Sequence, residues 1–255
     1  FVRMSVDDNA IDETLLSWSD LSATAMLQED RLPMPACELS SLAGIAIKVE
    51  PIALSQGEGE RRIAVKYTVR NTGSKRKTGT LVLALRPFQV LPHWHTLNLV
   101  GGVSRDVTHN AFASAKDGTI RVGDAELVAI NEADMNWISF GSVHDVVRVL
   151  HHHWFQIPNR VGRANSAALG FGFDLEPKRS KVVWVRGTAG RDALQKQTLS
   201  ALNTEHEKQV DRWTDLLSRT TLKLPATAKE LEDSFYAQIG WILVNRDGPA
   251  IQPGS

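Results

Sequence analysis

Between residues 40 and 187 apolar and polar positions alternate with a period of two, the pattern of strands that bury one face. Ile45, Ile47 and Val49 alternate with Ala46, Lys48 and Glu50, and Ile63, Val65, Tyr67 and Val69 alternate with Ala64, Lys66, Thr68 and Arg70. A polar, Gly-containing segment then leads into residues 80–86, where Leu81, Leu83 and Leu85 share a face, which predicts a long hairpin with a mobile tip. Further strands are expected at residues 119–122, 125–130, 146–150, 168–174 and 181–186. In the fourth of these, Leu169, Phe171 and Phe173 share one face, while Gly170 and Gly172 leave the other open to a close-lying backbone or ligand. Many strands joined by polar turns, with no regular helix between them, predict a mainly β protein: a large antiparallel sandwich rather than a parallel α/β fold.

After about residue 190 the period changes. Leu199, Leu202, Val210, Trp213 and Leu217 recur at helical spacings among Gln, Glu, Lys and Arg, predicting a helix over residues 191–218. A short extended piece, Leu222-Lys223-Leu224-Pro225, precedes a second helix over residues 228–244, with Thr227 as N-cap and Glu230 completing a capping box. Leu231, Phe235, Ile239 and Ile242 form one apolar stripe of that helix, and Tyr236, Trp241, Leu243 and Val244 add apolar surface around it. A helix apolar on most sides needs partners on most sides. Trp241, Leu243 and Val244 are therefore expected to be exposed or covered by a second copy, and the Gly/Pro-rich residues 245–255 read as a connector into further structure.

A chain of 255 residues is long enough for one large domain or two small ones. Lys plus Arg and Asp plus Glu are both 29, so there is no basic excess for a nucleic-acid partner. The cluster Lys75-Arg76-Lys77 reads as a solvated loop tip. No apolar run approaches the ~20 residues of a membrane span. The opening residues resemble neither an initiator nor a signal peptide, and the compartment is left open, periplasm or secretion being favoured. Cys37 is the lone cysteine, so no internal disulfide forms, and it reads as a small packed hydrophobe.

Chemistry is sparse. His93-Trp94-His95 would place both histidines on one side of a strand, where His144 or one of His151, His152 and His153 could complete a metal site in the manner of a cupin. The glutamate that a cupin supplies soon afterwards is missing from residues 96–100, so no metal and no cofactor is assigned. Trp137, Trp184, Trp213 and Trp241 lie in apolar periodic contexts and are expected in the core, whereas Trp94 is the tryptophan expected to be partly exposed, as a platform for a sugar ring. Carboxylates are not paired recognisably, and phosphate loops, nucleophile elbows and zinc-protease motifs are absent.

Three segments carry a resemblance. Arg86-Pro87-Phe88-Gln89-Val90, then Gly101-Gly102-Val103-Ser104, and above all the run from Leu243 to Ser255 resemble parts of large bacterial proteins of the six-hairpin glycosidase type, such as glucoamylases and glycoside phosphorylases. The resemblance implies a β-supersandwich over residues 1–189, a helical linker over 190–227, and the first helix and loop of an (α/α)6 barrel over 228–255. It further implies a non-catalytic N-terminal part of a longer carbohydrate-active enzyme. The catalytic carboxylates of such enzymes lie in barrel loops, so none is carried onto this chain. Trp94, His95 and Asp247 are the carbohydrate-binding candidates, and the loop 87–104 is the expected contribution to an active-site rim. The partners implied are an oligo- or polysaccharide held by the barrel, the catalytic domain of the same polypeptide, and a second copy meeting the exposed terminal helix. A free-standing carbohydrate-binding module and a metal-dependent sandwich enzyme are the rival readings.

Overall fold

The computed structural model describes residues 2–5, 13–54, 61–85, 111–114, 119–122, 125–129, 135–141, 162–163, 166–189, 198–247 and 250–251. Its strands are β1 (Val2–Ser5), β2 (Glu13–Leu16), β3 (Leu21–Gln28), β4 (Leu32–Ser41), β5 (Ile45–Leu54), β6 (Arg61–Asn71), β7 (Lys77–Leu85), β8 (Ala111–Ser114), β9 (Thr119–Val122), β10 (Ala125–Ala129), β11 (Met135–Gly141), β12 (Gly162–Arg163), β13 (Ser166–Leu175) and β14 (Ser180–Ala189). Helices α1 (Leu199–Ser218) and α2 (Lys229–Val244) follow, then the short ribbon β15 (Arg246–Asp247) and β16 (Ala250–Ile251). The strands form a five-stranded sheet, β11-β13-β7-β1-β2, and a nine-stranded sheet, β12-β8-β9-β10-β14-β6-β5-β4-β3, antiparallel throughout. The expected strand 146–150 lies outside the described residues.

Alternation decides which residues go where. Ile45 and Ile47 of β5, Val69 of β6, Val183 and Val185 of β14, and Leu39 of β4 point at the other sheet, where they meet Leu81 of β7, Phe171, Phe173 and Leu175 of β13, and Val2 and Met4 of β1. The intervening positions of the larger sheet look the other way. Ile52 and Leu54, Ala64, and Trp184 form a second core with Leu32 and Met34 of β4, Leu202 and Leu217 of α1, and Tyr236 of α2. The molecule is thus layered as sheet, sheet and helices, and β14 is buried on both faces over residues 183–186. That explains the near-continuous apolar run Val182-Val183-Trp184-Val185 within it.

The expected hairpin between residues 63–70 and 80–86 does not form. β6 pairs with β5 and β14 in one sheet, whereas β7 pairs with β13 and β1 in the other, so residues 72–76 arch between sheets. Both strands turn their apolar faces toward the same core, which is satisfied by facing one another across it as well as by lying side by side. β13 and β14 make a second arch beside the first, one strand in each sheet.

Asn71, wholly buried, ties these arches together. Its Nδ2 donates to the carbonyls of Lys75 (2.7 Å) and Leu175 (2.9 Å), and its Oδ1 accepts from the Gly73 N–H at 3.0 Å. Its backbone exchanges bonds with the second arch, N–H to Arg179 O at 2.9 Å and O from Lys178 N–H at 3.0 Å. The β4–β5 turn joins in, because Thr72 N–H donates to Gly44 O at 2.9 Å, and Gly44 holds φ +80°, a conformation that glycine adopts without strain. Arg76 pairs with Asp174, whose carboxyl is held below its usual range chiefly by that hydrogen bond. The basic tip is exposed as expected, but it is anchored at its base rather than loose.

Candidate functional site

Helix α2 sits between the nine-stranded sheet and open solvent, and it is apolar toward both. Asp233, Tyr236, Ala237 and Gly240 are its buried residues. A Cβ on Gly240 would lie 2.9–3.1 Å from the ring carbons of Pro33 in β4, so only glycine lets the helix settle at this distance. The Tyr236 hydroxyl accepts from Leu222 N–H at 3.0 Å and shares its own proton between the carbonyls of Thr220 and Leu222, each 3.1 Å away. Arg31 stacks on the ring of Tyr236 with its guanidinium carbon 5.8 Å from the centroid. Glu232 accepts from Leu224 N–H at 2.8 Å, which clips the α1–α2 connection onto the helix.

The expected Thr227–Glu230 capping box is not used. A 3-10 turn at Ala226–Ala228 leads into α2, its N-cap is Ala228, and no side chain caps it. Pro225 and the Glu232 clip set the direction of the chain here instead.

The opposite side of α2 carries Leu231, Phe235 and Ile242, which are 67%, 39% and 50% exposed. The stripe Leu231, Phe235, Ile239 and Ile242 is thus largely the outward one, with Ile239 half-buried at its margin. Trp241 and Val244 are exposed as well, while Leu243 packs partly against the helix-side core. Of the two placements expected for Trp241, the structure shows the exposed one rather than the core one; Trp184 is fully buried, and Trp213 is half-buried against the helix-side core. Asp233 makes an ion pair with Lys229, and its Oδ1 has no hydrogen-bond partner among the described residues.

A second feature lies beneath α1. Its buried stripe runs Leu202, His206, Val210, Trp213 and Leu217, so a histidine occupies a position that spacing alone reserves for an apolar residue. His206 meets Trp184 edge-on, with ring centroids 6.3 Å apart at 69°. Nearby, Glu50 is buried directly across the ladder from Lys66 and bonded to Lys48 at 2.8 Å, and Lys66 lies 6.0 Å from the centre of the Trp184 ring. Trp184 Nε1 donates to Asn203 of α1 at 3.2 Å. Burial holds the imidazole below its ordinary pKa, with Lys66 and Lys48 acting in the same direction and Glu50 and Glu207 opposing.

The sign follows directly. The folded state resists protonating His206 more than the unfolded chain does, so its contribution is fully present above about pH 6.5 and declines as pH falls below that. His206→Phe should flatten the fall in urea midpoint as pH drops below about 6.5, while Glu207→Gln on the same helix should leave most of it. An unchanged slope in His206→Phe would remove this role.

Trp94, His95, His93, His144, His151, His152, His153 and the loop 87–104 lie outside the described residues. Asp247 is described in its backbone, paired with Ala250 in the β15–β16 ribbon immediately after α2. Among the described residues no group of three or more His, Cys, Asp or Glu side chains is arranged to hold a metal ion. Cys37 is half-buried with a free thiol.

No protein-family model matches the chain, and no curated protein matches it. Among solved structures, one described as a kojibiose phosphorylase from the human microbiome aligns with 92% of the chain at a TM-score of 0.37 and 10% identity. The chain spans 27% of the length of that protein.

Proposed function

We propose that this chain is the non-catalytic sandwich of a carbohydrate-active enzyme, with residues 1–189 as supersandwich, 190–227 as linker, and 228–255 as the start of a helical barrel that carries the chemistry. The observation behind the reading is the two-sided character of α2: one apolar face fills the helix-side core, and Leu231, Phe235 and Ile242 present a second to solvent. A support that must hold another helical layer needs such a face, and exposed apolar patches mark interaction surfaces. The sugar class rests on the resemblance of residues 243–255 to six-hairpin glycosidases. In this reading Asp247, directly after α2, and Trp94 and His95 belong to the sugar-facing rim.

The test compares the 255-residue chain with the natural polypeptide extended by whatever coding sequence follows Ser255. The expected result is no glycoside turnover by the 255-residue chain and turnover by the extended one. Replacing Leu231, Phe235 and Ile242 together by Ser should lower the melting temperature of the shorter chain by a few degrees, through helix propensity and the lost edge contact of Phe235 with Tyr236, and that of the extended chain by about 5 °C more than that. Turnover by the 255-residue chain that disappears when one of its carboxylates is changed would overturn the proposal.

A further inference from the structure

The nine-stranded sheet ends at β3, which pairs with β4 on one side and with no described strand on the other. An edge strand presents a row of backbone N–H and C=O groups to any extended chain, and proteins usually blunt such edges with charge, proline, bulges or a covering element. β3 uses neither charge nor proline. It runs Leu21-Ser22-Ala23-Thr24-Ala25-Met26-Leu27-Gln28, and its only irregularity against β4 falls between Leu27 and Gln28 at the end. Ser22, Ala23, Thr24 and Ala25 are all exposed although they point alternately to the two faces.

The order of these side chains reads the same in both directions about Thr24: Leu, any residue, Ala, Thr, Ala, any residue, Leu. A two-fold interface requires a patch complementary to itself. We propose that β3 is a dimerisation edge, at which two copies of this chain pair antiparallel with Thr24 opposite Thr24 and join their nine-stranded sheets into one.

In that register Ala23 faces Ala25, Ser22 faces Met26 and Leu21 faces Leu27. Partners have the same parity, so a two-fold axis normal to the sheet keeps every side chain on its own face. Leu21, Ala23, Ala25 and Leu27 then line the face that continues Leu39 and Cys37 of β4, which look into the inter-sheet core. The acidic residues flanking the strand do not oppose each other: Asp20 falls beside Gln28, and Glu29 beside Ser19. One strand pair lies at the small end of protein interfaces, so the expected assembly is a concentration-dependent equilibrium rather than an obligate dimer.

Sedimentation velocity of the protein over rising concentration tests this, with shift from monomer to dimer expected. Thr24→Lys and Thr24→Glu, both at an exposed position and checked for folding by circular dichroism, should each weaken the dimer by about tenfold or more, because like charges meet on the axis. Mixing the two variants in equal amounts should restore the dimer, an outcome that a merely unfolded strand cannot produce. A wild-type chain monomeric at every concentration overturns the proposal. So does a dimer that survives Thr24→Lys but is lost in Leu231→Ser with Phe235→Ser, which would assign the contact to α2.

Discussion

Trp184→Ala is expected to lower the free energy of unfolding by about 3–5 kcal/mol, the range for removing a fully buried large aromatic side chain. The indole lies where the sheet supports the helices: β14 on one side, Leu202 and Leu217 of α1 and Tyr236 of α2 in the same core. Its loss opens a cavity between layers and removes the Nε1 donor that bonds the Asn203 side chain at 3.2 Å. It also removes the ring against which His206 rests. Urea unfolding at neutral pH measures the first effect. The second has its own signature: Trp184→Ala should weaken the dependence on pH below about 6.5 that His206 creates, since a looser site admits water to the imidazole. Trp184→Phe keeps most of the buried volume and should fall short by about 1–2 kcal/mol. A Trp184→Ala chain within about 1 kcal/mol of wild type would mean that the helices do not depend on this contact.

Asn71→Ala should be nearly as damaging, at about 3 kcal/mol, although it removes few atoms. Its amide satisfies the Lys75 and Leu175 carbonyls and the Gly73 N–H at once, at a position with no solvent exposure. Deleting it leaves those groups facing an apolar side chain, and a buried group without a partner loses more than the hydrogen bond was contributing. Asn71→Asp retains the acceptor for Gly73 but loses both donations, and it should also destabilise by several kcal/mol. Lys75→Ala, which leaves the backbone carbonyl in place on an exposed residue, should change stability by less than about 0.5 kcal/mol. Urea midpoints of the three variants separate a role for the amide from a general sensitivity of the arch. Equal effects of Lys75→Ala and Asn71→Ala would remove Asn71 from the centre of this arrangement.

The periodicities of the chain were sufficient for its fold class. Alternation in residues 45–50, 63–70 and 168–174 marked strands, and the change to helical spacing after residue 190 marked α1 and α2, because side-chain direction follows local backbone geometry and needs no knowledge of distant partners. The two-sided apolarity of α2 was equally legible. Which side would face the sheet was not, since Leu231, Phe235 and Ile242 are as apolar as Tyr236 and Leu243 and only contact with Pro33 and the α1–α2 connection distinguishes them. Pairing was beyond reach for the same reason. Tyr67 and Val69 of β6 and Leu81 and Leu83 of β7 bury one face each, a condition met both by a hairpin and by two sheets facing across a core, and pairing with distant strands, with Asn71 bonded to Leu175 104 positions away, selects the second. Of the candidate site, His206 was missed by the sequence reading, although it sits four residues from both Leu202 and Val210 in the helical series, and Glu50 and Lys66 became partners only when β5 and β6 came into register. Local physics thus determined the elements and their amphipathic faces, and the tertiary structure alone decided which faces met, because burial is a property of pairs of surfaces and a sequence displays them one at a time.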